Sequence, residues 1–279
     1  MEKGKLYLIA TPIGNLDDIT LRAIKTIKEV DLIAAEDTRQ TGKLLKYLEI
    51  SKPMIIYHRH NEDTKKSELI NLLKEGKNIG IITDAGTPGI SDPGEVLVRE
   101  AIKENIDVIP IPGACALINA LIASGLATKE FTFYGFISLN NKLREVTLND
   151  MKRQNKTIIL YEAPHRILKT LEDLKSHFGD IYIVVAKELT KIHETFYRGK
   201  ISELEKQLEN PKGEFIILFE NNSKTDEEIE IEEVNSLSLE EQYEYYKKKG
   251  LEKKEIIKKI AKNHNVNKND IYKKFIEKK

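Results

Sequence analysis

The chain has 279 residues, enough for two domains of ordinary size, and 40% of them are apolar, so sizeable cores can be buried. Lysine plus arginine and aspartate plus glutamate each number 45, so the formal net charge is zero and only the distribution of charge can point to a partner. A single cysteine, Cys115, excludes an intramolecular disulfide and leaves a cysteine-based zinc site without ligands; no run approaches the roughly 20 apolar residues of a membrane span, and the start is too short in apolar residues for a signal peptide, so a cytoplasmic protein with no membrane partner is expected.

Residues 6–10 form an apolar run stopped by Pro12 and Gly14, which predicts a strand and a turn. Leu21, Ile24, Ile27 and Val30 recur at a helical period over 20–30. Strands are expected at 32–35, 54–57, 79–83 and 108–111. Helices are expected at 41–48, 65–74, 95–104 and 114–123, with a loop rich in Gly and Pro at 84–94. This alternation predicts an α/β fold with a mostly parallel sheet covered by helices on both faces. Further strands at 131–136, 157–161, 181–187 and 214–220, with helices near 166–177 and 202–207, predict a second α/β domain. The expected division is 1–113 and 114–220. Residues 221–236 carry six acidic residues and one lysine, the composition of an acidic linker. Residues 237–279 carry thirteen lysines against seven acidic residues, a net of about +6. Three short helices at 239–249, 253–264 and 268–278 are expected there, with Ile256, Ile257, Ile260, Val266, Ile271, Tyr272 and Phe275 as a small core. Asn267, three residues before Asp270, resembles a capped helix start. Together they suggest a helix-turn-helix-like extension.

In open α/β sheets ligands bind beyond the carboxyl ends of the strands. The loops there are 11–15, 36–39, 58–62, 84–94 and 112–115, and they form the candidate site. Glycines and prolines in 84–94 suit either a connection with unusual backbone angles or a backbone cradle for a ligand. Glu36, Asp37 and Arg39 read as a helix cap with an ion pair or as site residues. The polar span 58–62 contains two histidines, but no companion motif defines a metal site there. No Gly-x-Gly-x-x-Gly follows the first strand, and neither a phosphate-binding Gly-Lys-Ser/Thr loop nor a Gly-x-Ser-x-Gly elbow occurs.

In order along the chain, 6–20 (LYLIATPIGNLDDIT), 34–40 (AAEDTRQ), 58–62 (HRHNE), 83–94 (TDAGTPGISDPG), 112–126 (PGACALINALIASGL), 161–166 (YEAPHR), 187–191 (KELTK) and 213–219 (GEFIILF) resemble the ribosomal RNA small subunit methyltransferase I family. That family lies within the tetrapyrrole methylase superfamily. The resemblance implies two α/β domains with S-adenosylmethionine between them, usually in a homodimer. It implies 2′-O-methylation of a decoding-centre cytidine of 16S rRNA within the 30S subunit. Carried over by position, the cofactor would meet Pro12, Ile13, Gly86, Thr87, Pro88, Ile90, Cys115, Ala116, Tyr161, Leu189, Gly213 and Glu214. Arg39, Asn61, Glu62, Lys142, Arg144 and Arg166 are the candidate RNA contacts. Glu36, Asp37 and His60 are candidate proton acceptors, which sequence does not rank, and no metal is required. The chain departs from the family where Ala114-Cys115-Ala116 replaces Pro-Ser-Ala and where Lys187 replaces an arginine. A tetrapyrrole methyltransferase would share the fold and cofactor, and a non-catalytic RNA-binding ribosome assembly factor would keep the basic tail without the pocket.

Overall fold

The computed structural model describes residues 2–208, 211–221, 231, 234–264 and 266–276. The first sheet holds β1 (Leu6–Ile9), β2 (Leu32–Ala35), β3 (Met54–Ile56), β4 (Ile79–Ile82) and β5 (Val108–Ile111) in the order β3-β2-β4-β1-β5, all parallel. Alternate residues face opposite sides of a strand, and here both sides are dry. Leu6 and Ile79 pack with Leu69 and Leu73 of α3 (Glu62–Lys74) and Leu97 of α4 (Glu95–Lys103). Ile9 and Ile33 pack with Ala23 and Ile27 of α1 (Leu21–Glu29) and Leu45 of α2 (Thr38–Tyr47). Thr20 caps α1 by accepting the Ala23 N–H at 3.1 Å. The face expected for α1 is only half right. Ile27 and Val30 are buried, but Leu21 is 85% exposed and Ala23 takes the inward place.

The second sheet follows α5 (Ala116–Ser124), which ends where Gly125 adopts a left-handed φ of 83°. Its strands are β6 (Phe131–Phe136), β7 (Thr157–Glu162), β8 (Tyr182–Lys187), β9 (Thr195–Lys200) and β10 (Phe215–Glu220), in the order β6-β7-β10-β8-β9. Only β6 and β7 run parallel. Helices α6 (Asn141–Lys152), α7 (Ile167–Phe178) and α8 (Ile201–Gln207) connect them. Two of these elements, α6 and β9, escape the sequence pattern. In α6 the buried positions are Arg144, Leu148 and Met151, whereas Leu143 and Val146 are 58% and 61% exposed. The helix therefore turns a charge inward and two apolar side chains outward. The strand β9 carries Arg198, Gly199 and Lys200 and exists through its antiparallel pairing with β8.

The chain divides into two compact units, Met1–Leu148 with Lys156–Glu220, and Asn149–Asn155 with Asn221–Lys279. The two sheets, expected as separate domains meeting at 113, thus share one unit. In the second unit α9 (Leu239–Lys248), α10 (Lys253–Asn263) and α11 (Lys268–Ile276) follow one another. Ser238 and Glu241 form a reciprocal capping box at the start of α9, and the Asn267 side chain accepts the Asn269 N–H at 3.0 Å before α11. Ile256, Ile257, Ile260 and Ile271 form a core with Tyr246 and Val234. Val266 and Tyr272, expected in that core, are 44% and 46% exposed, and the side chain of Phe275 lies outside the described residues. The burial of Val234 puts the start of the helical unit before residue 237. Most of the acidic stretch 221–236 lies outside the described residues. Among the described residues no helix is long and apolar enough to cross a membrane.

Candidate active site

Beyond the carboxyl ends of β1 and β4 the chain makes one more bridge. The Thr11 N–H donates to Gly86 O (2.8 Å) and the Gly86 N–H to Thr11 O (3.1 Å). The Thr87 hydroxyl donates to Ala114 O at 3.0 Å, fastening the loop after β4 to the loop after β5. Gly86 has a φ of 78°, and a Cβ there would lie 3.1 Å from Ile13 Cγ2. Both the angle and the space call for glycine. From the second sheet, the Tyr161 hydroxyl accepts the Leu117 N–H at 3.1 Å, and its ring meets Phe133 and Phe136 edge-on. Burial pushes the Tyr161 phenol well above its usual range, so it stays neutral and available as a hydrogen-bonding group. Leu189 sits between Glu188 and Thr190, whose φ values of 51° and 67° are unusual for side chains with a Cβ, above all for a β-branched one.

These pieces enclose a cavity of about 410 Å³, within the ordinary range for small-ligand sites. Of the expected cofactor contacts, Ile13, Gly86, Thr87, Ile90, Cys115, Ala116, Tyr161, Leu189 and Glu214 line it. Pro12 lines a neighbouring cavity of about 220 Å³ instead, and Pro88 and Gly213 line neither. Gly213 has a different task. With a φ of 91° it lets the Glu188 side chain approach so closely that a Cβ would lie 2.4 Å from it. Sequence reasoning missed Asp84, Ser91, Asp92, Phe136 and Ile216 in the wall. For Asp84 and Asp92 the signal was present, since both carboxylates lie inside the glycine-rich loop read only for its backbone.

None of the expected catalytic and RNA-contacting residues lines this wall. Asp37 caps α2 by accepting the Arg39 N–H at 2.8 Å and grips the Arg39 guanidinium at 2.7–3.2 Å. The guanidinium holds the Asp37 carboxyl down at about 2, which makes it a weak base. Glu36 accepts the Asp84 N–H at 3.3 Å, and burial raises its pKa. His60 is exposed, with its ring 5.9 Å from that of His58. Four of the six candidate RNA contacts are committed to the fold. Asn61 closes its own turn, accepting the His58 N–H and donating to Ile56 O. Glu62 Oε1 accepts from the Tyr57 hydroxyl (3.0 Å) and the Gly94 N–H (2.9 Å). Arg144 is 8% exposed and pairs with Asp173 at 2.5 Å while donating to Thr170. Arg166 pairs with the fully buried Glu162 at 3.1 Å and donates to Ile137 O. Arg39 and Lys142 remain exposed to solvent. Among the described residues no group of three or more His, Cys, Asp or Glu is placed to hold a metal ion.

Residues 5–205 match the family Tetrapyrrole (Corrin/Porphyrin) Methylases. The fold and its cavity are thus those of a tetrapyrrole methylase. The ribosomal RNA small subunit methyltransferase I of Halalkalibacterium halodurans is 48% identical over 97% of this chain and 94% of its own, and that of Bacillus subtilis 46% over 97% and 94%. The chain belongs to the ribosomal RNA small subunit methyltransferase I family. Solved structures of the same fold include a diphthine synthase (TM-score 0.64, 14% identity, 81% of this chain and 94% of that one). Another is the uroporphyrin-III C-methyltransferase of Thermus thermophilus complexed with S-adenosylhomocysteine (TM-score 0.56, 17% identity, 77% and 97%). The lining of the cavity fits S-adenosylmethionine, the methyl donor that the sequence resemblance implies. Ile13, Ala186, Leu189 and Ile216 offer apolar surface to a base, Asp84, Ser91 and Glu214 offer polar partners to a ribose and an amino-acid tail, and the Gly86 backbone is open to close approach.

Proposed function

We propose that the chain transfers a methyl group to the ribose 2′-hydroxyl of a decoding-centre cytidine in 16S rRNA, acting in the cytoplasm on the small ribosomal subunit. The observation that carries this reading is the near full-length relationship to ribosomal RNA small subunit methyltransferases. The polar surface beside the cavity supports it. Arg39, Arg59 and Lys43 are exposed around the carboxylates Glu36, Asp84 and Asp92, so cations for a phosphate backbone stand next to groups able to handle a hydroxyl proton. The relatives' names favour RNA over a tetrapyrrole, and the cavity favours an enzyme over a passive assembly factor.

The cofactor supplies a methyl group already activated on sulfonium. The protein's part is to align the attacking oxygen, where orientation contributes up to roughly 7–11 kcal/mol. Gly86 and Thr87, held to Thr11 and Ala114, fix the floor of the cavity, and Tyr161, held by Leu117 and two phenylalanine edges, fixes one wall. The family's dimer is a further expectation here. Ile118 and Ile122 of α5 and Leu143 and Val146 of α6 are exposed apolar residues available for a second copy, and sedimentation at micromolar concentration checks it. The test of the activity is methyl transfer from labelled S-adenosylmethionine to 30S subunits from cells lacking the endogenous modification. The expected product is one 2′-O-methylcytidine in the decoding centre. Label on a base, or on no RNA at all, overturns the reading.

A further inference from the structure

We propose that Asp92 is the catalytic base, the group that takes the proton from the attacking ribose hydroxyl. This rests on the ribose reading above and adds to it a residue that none of the expected candidates includes.

Asp92 lies in the cavity wall, on the turn after β4. That turn is rigidly specified. Gly89, Ser91 and Gly94 adopt φ values of 84°, 62° and 138°, the Gly89 N–H donates to Pro93 O at 3.2 Å, and the Gly94 N–H is held by Glu62. Proline at 93 further restricts the backbone of Asp92. A non-glycine residue in the left-handed region, as at Ser91, is uncommon and collects at functional sites. Among the described residues the Asp92 carboxylate makes no hydrogen bond and no ion pair. The other candidates are differently placed. Asp37 is spent on Arg39, Glu36 accepts the Asp84 N–H, and neither these nor His60 lines the cavity. The charged and titratable groups around Asp92 come from four elements: Glu36 after β2, Arg59 after β3, Asp84 after β4 and Tyr161 in β7. Burial, then Glu36, push the carboxyl up, with Arg59 opposing, to about 6. A base poised there is ionised at neutral pH and still holds a proton well.

In the step proposed, the ribose O–H bond breaks and its proton passes to an Asp92 oxygen. The ribose oxygen's electron pair forms the new bond to the methyl carbon. The carbon–sulfur bond breaks with its pair left on sulfur, giving a neutral thioether. The Asp92 proton then leaves to solvent.

Two measurements test this. In cofactor-free protein carrying ¹³C-labelled aspartate, a carboxyl signal missing from Asp92→Asn should titrate near pH 6; titration near the ordinary aspartate value of about 4 overturns the proposal. On 30S subunits the wild-type rate should fall about tenfold per pH unit below pH 6. Asp92→Asn should lose on the order of 10²–10⁴-fold in turnover, along with that limb of the profile, while keeping its affinity for S-adenosylhomocysteine. Asp92→Glu should recover part of the rate. A folded Asp92→Asn protein with full turnover, or one whose turnover falls only as much as its affinity for the product, overturns the proposal. Wild-type label on an atom other than a ribose oxygen instead sinks the ribose reading, and this base with it, whatever the titration shows.

Discussion

At the scale of single residues, side chains read as RNA contacts turn out to hold the site together. Glu62 joins Tyr57, which is fully buried, to the amide of Gly94 at the end of the cofactor loop. Glu62→Ala leaves both donors without an acceptor, a cost of about 1–3 kcal/mol. It should also weaken cofactor binding, because the loop loses its tether. Urea melts and calorimetry check this, and an unchanged midpoint with unchanged affinity would remove Glu62 from the support of the loop. Arg144 and Lys142, two residues apart, separate the structural from the solvent-facing role. Arg144→Ala empties a buried site and leaves Asp173 with Lys169 at 3.0 Å as its remaining ion-pair partner, so a loss of about 1–3 kcal/mol in stability is expected. Lys142→Ala should change stability by less than about 0.5 kcal/mol. If Arg144→Ala melts like the wild type and instead loses affinity for 30S subunits, the helix presents that arginine to RNA after all.

At the scale of elements, the proposed cofactor floor depends on backbone approach at Gly86. Gly86→Val would force a branched side chain into a φ of 78° and against Ile13, so calorimetry should find binding of S-adenosylhomocysteine abolished in a folded protein. Retained affinity would take this loop out of the site. The five strands of the first sheet were legible as short apolar runs because a parallel sheet covered on both faces has no polar side to interrupt them. The loops at their carboxyl ends were legible as the place for a ligand for the same reason. Legibility failed where tertiary contacts override local pattern. Arg144 faces inward because Asp173 and Thr170 receive it, and Leu143 faces outward on the same helix, so the apolar period of α6 misleads. The strand β9 needs β8 beside it. Asp92 was overlooked because a loop read for its glycines says nothing of which carboxylate stands in the cavity wall; that depends on the φ angles of Ser91 and its neighbours.

At the scale of the whole molecule, the charge is neutral in sum and uneven in place. The segment 237–279 has a net charge of about +6, and its described residues fold around Tyr246 and Ile256 in a unit that also includes Val234. A chain ending at Asn221 keeps both sheets and the Asn221 amide that donates to Met151 O and Lys152 O, so its cofactor affinity should equal that of the full chain. Its affinity for 30S subunits should be lower and its salt dependence shallower, since fewer counterions are released. Binding measured against salt decides this, and identical slopes would leave the lysines without a role on RNA. The strand order of the first sheet carries a consequence for how the chain comes to be folded. Leu6 pairs with Ile79 and with Val108, so the first strand made must wait for partners about seventy and a hundred residues later, the kind of long-range closure that slows folding. The C-terminal helices close on near neighbours and need no such wait. During synthesis the N-terminal strand therefore stays uncovered longest, and chaperone protection in that interval would affect the yield of active protein more than any event in the tail.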